Sequence, residues 1–138
     1  MYEQKFYTSI EQSKKLLELG LSPESADCMW EQHDNESPYV TVKPYTTLGR
    51  SIGAHAIPCW SIGALLNIMP KLYEFKEDPE DGGCQPNLCK GWDNNLWHVV
   101  YRTSIYVTEW YENPIDACFE MVCWLLRKGY IKKNSHDG

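Results

Sequence analysis

Residues 113–129 read Asn-Pro-Ile-Asp-Ala-Cys-Phe-Glu-Met-Val-Cys-Trp-Leu-Leu-Arg-Lys-Gly and predict a helix over 114–128. Asn113 is a favoured N-cap residue, and Pro114 suits the first helical position, where its missing N–H removes no helical hydrogen bond. Asp116 lies in the first turn, where the helix dipole favours an acidic side chain. Gly129 is typical of the left-handed residue that follows a helix. Both ends of this helix are therefore marked in the sequence.

The apolar face of this predicted helix is wide. At about 100° per residue, seven apolar side chains cover well over half of its circumference. They are Ile115, Cys118, Phe119, Met121, Val122, Leu125 and Leu126. Only a narrow stripe of Asp116, Glu120 and Arg127 remains, which predicts a helix embedded in the core. Cys123 falls inside this stripe and Trp124 at its margin, so either a loop covers the stripe or these side chains contact a partner.

A first helix is predicted over 10–19. Ser9 and Gln12 have the spacing of a capping box, and Gly20 is a typical stop signal. The polar side of this segment is charged, which is typical of a surface helix that lies on a core.

Two further helices are predicted between these. Residues 22–24, Ser-Pro-Glu, have a capping residue followed by proline and an acid, and predict a short helix that runs through Trp30. Prolines bracket residues 58–70, which predict a short buried helix that ends at Met69, because the residue before a proline avoids the helical conformation. Gly63 within this helix indicates close contact with neighbouring backbone.

Strand signals follow the polar, turn-rich middle of the chain. Residues 39–42 have the β-branched character of a short strand. Residues 77–95 form a long loop rich in glycine, proline and acidic residues, which at this length is either functional or disordered. Residues 96–111 alternate and predict two or three antiparallel strands that turn near 102–104. His98, Arg102, Ser104 and Thr108 share one parity of this run, and the other parity is apolar: Trp97, Val99, Tyr101, Ile105 and Val107.

These elements predict an α+β fold. We expect an antiparallel sheet of three to four strands to pack against three or four helices, which form a single layer on one face. The helices over 114–128 and 58–70 contact the sheet, and the first helix lies outside them. The length of 138 residues fits a single globular domain that spans 1–138.

Composition restricts the classes of partner. The net charge of −6 argues against nucleic acid and anionic membranes, and no apolar run is long enough for export or membrane insertion. Four of the six cysteines occur singly in apolar stretches, as expected of small hydrophobic side chains in the reducing cytoplasm. The six Trp and nine Tyr favour a cleft or a partner surface, since these rings combine an apolar body with a polar group.

Three blocks resemble a group of small uncharacterised proteins in gut-bacterial genomes, often among prophage and mobile-element genes. The blocks are Thr-Ser-Ile-Glu-Gln-Ser-Lys-Lys-Leu-Leu-Glu-Leu-Gly-Leu (8–21), Pro-Cys-Trp-Ser with Leu-Leu and Met-Pro (58–70), and the first fourteen residues of the stretch quoted above (113–126). The resemblance implies a small intracellular accessory protein, in a phage-associated context. It implies no activity and no catalytic residues.

A metal or nucleophile site is the alternative to a purely binding role. Cys84 and Cys89 are separated by four residues in the long loop, and His98 would be a third ligand. This spacing is wider than that of most structural zinc sites, and no second Cys/His pair follows. His55, four residues before a cysteine, is the other candidate for a small-molecule enzyme. No cofactor-binding motif is present, and no cofactor is expected.

Exposed aromatic side chains are the leading candidates for function. The binding residues we predict are Trp92, Trp97, Trp110, Tyr111 and Trp124. Those in turns, Trp92 and the Trp110-Tyr111 pair, are the strongest of them. We therefore expect a non-enzymatic module that self-associates or binds another protein, with a small-molecule ligand as an alternative. A phage factor that mimics nucleic-acid charge would require a continuous acidic face.

Overall fold

Three α-helices, one short 3-10 helix and five strands are seen in the described part of the chain. The structure is a computed structural model, and it describes residues 5–32, 37–41, 55–72, 83–102 and 105–133. In chain order the elements are α1 (Ile10–Glu18), the 3-10 helix (Pro23–Ser25), β1 (Cys28–Gln32), β2 (Tyr39–Thr41), β3 (His55–Cys59), α2 (Ile62–Ile68), β4 (Asn87–Lys90), β5 (Trp97–Val100) and α3 (Pro114–Lys128).

The helix α3 has the predicted bounds. Pro114 is its first residue, and Gly129 ends it in the left-handed conformation, at φ 80°. Asn113 is the N-cap, but its side chain makes no capping hydrogen bond. The Asn113 Oδ1 atom is buried without a hydrogen-bond partner among the described residues. Eight side chains of α3 are buried, which places this helix at the centre of the core: Ile115, Ala117, Cys118, Met121, Val122, Cys123, Leu125 and Leu126.

The helix α1 lies beside the polar stripe of α3 and contacts its first residue, Asp116. Gln12 Nε2 donates a hydrogen bond of 2.8 Å to Asp116 Oδ1, which joins the first turns of the two helices. Cys123 is buried and Trp124 is half-buried. A neighbouring helix therefore explains the cysteine in the stripe, where the sequence had pointed to a loop or a partner.

The capping box of α1 is confirmed. Ser9 Oγ accepts a hydrogen bond from Gln12 N, and Gln12 Oε1 accepts one from Ser9 N, each at 3.0 Å. The helix ends at Glu18, within one residue of the predicted bound. On its buried side the hydroxyl groups of Ser13 and Thr8 are hydrogen-bonded at 2.8 Å. Both polar side chains are thereby satisfied inside the core.

The prediction of a second α-helix through Trp30 is wrong. Only Pro23–Ser25 is helical, as a 3-10 turn, and the following residues form β1. This strand lies at the centre of a three-stranded antiparallel sheet with the order β2-β1-β3. Trp30 is paired with Val40 on one side and with Ile57 on the other. A short apolar run fits a helix or a strand equally well, and here pairing on both sides favours the strand. The predicted strand at 39–42 is confirmed as β2.

Residues 58–70 are divided between a strand and a helix. Pro58 belongs to β3, and α2 starts after its N-cap, Ser61. A proline is tolerated here because β3 is an edge strand. The predicted end at Met69 is confirmed. The expected backbone contact at Gly63 is wrong, because this residue is exposed and only the Ser61 hydroxyl would approach an added Cβ, at 3.7 Å.

The loop predicted over 77–95 contains a strand. Residues 77–82 lie outside the described residues, whereas β4 and its turn occupy much of the remainder. The strands β4 and β5 are antiparallel, with Leu88 opposite Val99 and Cys89 opposite His98. The strand β4 is short and follows a proline, so its sequence alone resembles a loop.

The chain turns back after β5, as predicted for residues 102–104, of which 103 and 104 lie outside the described residues. Residues 106–111, here called the return segment, lie beside β5, with bridges between Val100 and Val107 and between Trp97 and Tyr111. Val107 lies opposite Val100 and is 38% exposed, whereas Val99 and Tyr101, which share its parity, are buried. The turn changes the alternation of side chains between the two faces of the ribbon. The parity that faces the core in β5 therefore does not face it in the return segment.

The α+β class is confirmed, with the strands divided between the three-stranded sheet and the β4–β5 ribbon. The helix α3 packs on α2 and on the ribbon, whereas α1 packs on β3 and α3. The largest fully buried rings are those of Trp60 and Tyr101. No helix in the described ranges is long and apolar enough to cross a membrane.

Candidate functional site

The turn between β4 and β5 holds a fully exposed tryptophan. Gly91 N donates to Leu96 O at 2.7 Å, and Asn94 Oδ1 accepts from Leu96 N at 3.0 Å, so the turn is closed by its own hydrogen bonds. A Cβ at position 91 would collide with the Asn94 side chain, so any larger residue there would displace that side chain. The Trp92 side chain is 96% exposed. This ring contributes nothing to the core and is available for a contact.

A second exposed tryptophan is held by a ring stack on the ribbon. The rings of His98 and Trp110 are stacked, with centroids 3.9 Å apart and an angle of 8° between planes. Two residues separate the bridged positions of β5, but three separate those of the return segment, which therefore contains a β-bulge. Such a bulge redirects a side chain. Trp110 remains 42% exposed on its outer side.

His98 and Trp110 belong to an apolar surface on the outside of the ribbon. Side chains alternate along a strand, so His98 and Val100 share the side that faces away from α3. Cys89 lies opposite His98, and Val107 lies opposite Val100. We call these residues the outer face: Cys89, His98, Val100, Val107 and Trp110. None of them is fully buried.

The other predicted binding aromatics make contacts within the fold. Trp97 is half-buried against the core, with Lys90 Nζ 5.6 Å from its ring centroid. Trp124 is stacked on Tyr106 at 4.3 Å and 4°, and its ring lies 5.6 Å from that of Tyr130. Of the five predicted residues, Trp92 and Trp110 are therefore exposed, whereas Trp97, Tyr111 and Trp124 are half-buried.

The three candidate metal ligands are not grouped, although two of them, Cys89 and His98, lie opposite each other in the β4–β5 ribbon. Cys84 is bridged to Leu72, and it lies close enough to Tyr101 to add to the effect of burial, which raises the pKa of the Tyr101 hydroxyl. Cys89 lies opposite His98 on the outer face. Within the described ranges, no three His, Cys, Asp or Glu side chains are grouped as metal ligands. His55 lies in β3, where only its backbone is described.

A cleft of about 440 Å³ lies between α1 and α3. This volume is within the range of small-molecule sites. Its lining combines apolar side chains with both signs of charge: Gln12, Lys15, Tyr111, Asp116, Phe119, Glu120, Cys123 and Arg127. The cleft was not predicted from the sequence. The position of Cys123 within the polar stripe of α3 was a sign that another element lies against this stripe.

The acidic side chains of the cleft have partners in the fold. Asp116 Oδ1 accepts the hydrogen bond from Gln12 and lies 3.6 Å from Lys5 Nζ. Glu120 Oε1 accepts a hydrogen bond of 3.3 Å from the Tyr106 hydroxyl. Burial, followed by the Glu120 carboxylate, raises the pKa of Tyr106. The negative charges of the cleft are thus already engaged.

The cationic side chains of the cleft lie around Cys123. Burial raises the pKa of the Cys123 thiol to about 11, and the nearby charges of Arg127 and Lys15 oppose this rise. Within the described part of the chain, neither Lys15 nor Arg127 is within ion-pair distance of a carboxylate. The cleft therefore presents two unpaired cations beside the apolar side chain of Phe119.

Comparisons with known proteins were made at the level of family models, curated sequences and solved structures. No family model, curated protein or solved structure matches this chain. Inferences about function therefore rest on the exposed aromatic surface of the ribbon and on the cleft between α1 and α3.

Proposed function

We propose that this chain is a non-enzymatic protein-interaction module that binds a second copy or another protein through Trp92 and the outer face. The observation that carries the proposal is the 96% exposure of Trp92 in a turn that is closed by its own hydrogen bonds. A ring in this position stabilises nothing inside the fold. Its contact with a partner would gain apolar burial at little cost in backbone ordering.

The energetics of tryptophan support this role. An aromatic side chain buries about 150–250 Å² when it is fully covered. Tryptophans are enriched among the few interface residues whose truncation costs about 2 kcal/mol or more. Trp110 adds a second exposed ring, and its stack with His98 limits the rotamers that a partner would have to order.

The kind of partner follows from the charge and the thiols. A net charge of −6 disfavours a nucleic-acid partner, because phosphate contacts need a cationic surface. We place the protein in the cytoplasm, where six unlinked cysteines fit a reducing environment. The resemblance at residues 8–21, 58–70 and 113–126 is the support for an accessory role beside phage genes.

Light scattering and affinity capture with matched variants test the proposal. The double variant Trp92→Ser/Trp110→Ser removes both exposed rings of the ribbon. Phe6→Ser is the control, since Phe6 is 61% exposed and lies outside this surface. We expect wild type and the control to form the same dimer, or to retain the same captured protein, and the double variant to lose it.

Two results would contradict the interaction module. One is a strict monomer that retains no protein in capture at any concentration tested. The other is equal loss of binding by the double variant and by Phe6→Ser, which would show that any exposed aromatic contributes and that the ribbon has no special role.

As a second candidate function, we propose that the cleft between α1 and α3 binds a small organic anion with an aromatic or aliphatic body. Among the described residues the half-buried Lys15 and the exposed Arg127 have no carboxylate partner, and their charges favour an anionic group near Cys123. Phe119 and Tyr111 provide an apolar wall for the body of the ligand. The acidic side chains of the cleft are already hydrogen-bonded, Asp116 to Gln12 and Glu120 to Tyr106. The cationic side chains therefore favour a ligand with a negative charge.

A pair of probes that differ mainly in charge tests this second function. Phenylacetate and 2-phenylethylamine share an aromatic body, and we expect the anion alone to perturb the NMR signals of the lining residues. Arg127→Gln should weaken phenylacetate binding about tenfold or more, as loss of a charged hydrogen bond does. Lys128→Gln is the matched control, because Lys128 is exposed outside the cleft. Equal binding of both probes would contradict the assignment.

A further inference from the structure

Two buried cysteines lie face to face in the three-stranded sheet. Cys28 begins β1 and Cys59 ends β3, and the two residues are directly opposite in the antiparallel register. Their Sγ atoms are 2.9 Å apart, and both side chains are fully buried. Neither residue contributes to the aromatic surface or to the cleft.

The positions of these residues meet the backbone requirement for a disulfide. Opposite residues of an antiparallel pair have Cα atoms about 4.5 or 5.5 Å apart, and both values lie within the range that disulfides use. The bond itself is about 2.0 Å long. The two sulfurs therefore need to move only about 1 Å toward each other.

From this geometry we propose that Cys28 and Cys59 are a redox-sensitive pair that forms a disulfide between β1 and β3. The oxidant is a small-molecule disulfide of the glutathione class. One protein thiolate attacks it, forms a mixed disulfide and releases one small thiol. The second protein thiolate then attacks the linked protein sulfur and releases the other small thiol. In total, two protein thiols are oxidised and one small disulfide is reduced to two thiols.

The reduced pair is protected while the sheet is closed. Cys28 Sγ donates to the carbonyl oxygen of Cys59 at 3.1 Å, and both thiols are excluded from solvent. The hydrogen bond to the Cys59 thiol, followed by burial, raises the pKa of Cys28. Since the thiolate is the reactive form, oxidation requires β3 to separate locally from β1. Because β3 is an edge strand, its separation from β1 breaks the pairing with one neighbouring strand only.

The link would stabilise the native state. Cys28 and Cys59 are 31 positions apart, so their bond closes a long loop in the unfolded chain. For a chain of this length we expect a rise in Tm on the order of 10 °C in the oxidised protein. The reduced and oxidised forms would thus differ in resistance to unfolding and to proteolysis.

The experiment treats the native 138-residue chain with oxidised glutathione at mildly alkaline pH. Intact mass spectrometry should show the loss of two hydrogens, and peptide mapping should link Cys28 to Cys59. The oxidised protein should melt at the higher temperature, and dithiothreitol should reverse both changes. These measurements use wild-type protein and need no variant to fold.

Single substitutions add a control. Cys28→Ala should abolish the rise in Tm on oxidation, and Cys89→Ser, which changes a thiol of the outer face, should retain it. The proposal is overturned if the native protein keeps all six thiols under conditions that oxidise the urea-unfolded chain. It is equally overturned if the mapped link joins other cysteines, or if the Cys28–Cys59 form melts no higher than the reduced form.

Discussion

Asp27 binds Ser61 through both of its carboxylate oxygens. Oδ1 accepts a hydrogen bond from Ser61 N at 2.9 Å, and Oδ2 accepts one from the Ser61 hydroxyl at 2.5 Å. Ser61 Oγ in turn accepts from Ala64 N at 3.1 Å and caps α2. A single carboxylate just before β1 therefore orients the residue that starts the second helix, and so connects the three-stranded sheet to the helical layer.

Removal of this carboxylate should destabilise the protein. We expect Asp27→Ala to lower the free energy of unfolding by about 2–3 kcal/mol, because it deletes two hydrogen bonds to a charged acceptor and disorders the cap. Asp27→Asn should lose less, since it keeps an acceptor of the same size. Urea denaturation measures the difference, with Asp93→Ala in the exposed turn as the control. Equal losses for Asp27→Ala and Asp93→Ala would show that the bridge contributes nothing.

The two N-caps of α1 and α3 should respond differently to alanine. Ser9 makes both hydrogen bonds of a capping box with Gln12, so Ser9→Ala should cost about 1 kcal/mol. Asn113 makes no capping bond and has a buried oxygen without a partner, so Asn113→Ala should change stability by less than about 0.5 kcal/mol in either direction. Thermal or urea unfolding of both variants tests the ranking, and a larger loss for Asn113→Ala would contradict it.

Alanine substitution of two glycines, one within α2 and one directly after α3, should change stability in opposite directions. Gly63 is exposed in α2, and an added methyl group would meet only the Ser61 hydroxyl at 3.7 Å, so Gly63→Ala should stabilise the protein by about 0.5–1 kcal/mol. Gly129 has a φ of 80°, which strains any other residue, so Gly129→Ala should cost about 1 kcal/mol. Neither added methyl group meets a steric obstacle at the backbone. The difference in stability between the two variants therefore reports the difference in backbone conformation at the two positions. An increase in stability in Gly129→Ala would contradict the conclusion that the left-handed conformation at Gly129 disfavours other residues.

Sequence signals predicted the elements whose ends are fixed locally. Pro114 and Gly129 fix the ends of α3, and the capping box fixes the start of α1, because each signal acts through its own first or last turn. The segment through Trp30 was mispredicted for the opposite reason. Its strand is stabilised by β2 and β3, whose paired residues lie eight or more positions away in the chain. Only tertiary pairing distinguishes that strand from a helix.

The residues of the candidate site also divide into those that local sequence signals predict and those that depend on tertiary contacts. The exposure of Trp92 follows from a turn signal that can be read locally, and the sequence placed it among the strongest candidates. Trp124 was also a predicted binding residue, but Tyr106 covers its ring through a contact that periodicity does not encode. The cleft depends on α1 lying across α3, so Lys15 and Arg127 appeared in sequence only as surface charges.

Stability at high pH should depend on the buried thiol of Cys118. Burial raises the pKa of this thiol from 9.0 to about 12. Below about pH 9 the thiol is protonated in both states and contributes no pH dependence. As the pH rises from about 9 to about 12, the unfolded chain loses this proton while the native protein keeps it. The free energy of unfolding should then fall by about 1.4 kcal/mol per pH unit through this group.

Urea denaturation at several pH values tests this effect. In Cys118→Ala the decline in stability between about pH 9 and 12 should be shallower than in wild type, although the variant starts from a lower stability because of the cavity it creates. Tyr101 and Cys123, whose pKa values are also raised by burial, contribute to the decline in both proteins. The two proteins are therefore compared by the slope of the free energy of unfolding against pH. An unchanged slope in Cys118→Ala would mean that this thiol ionises equally well in the native and unfolded states.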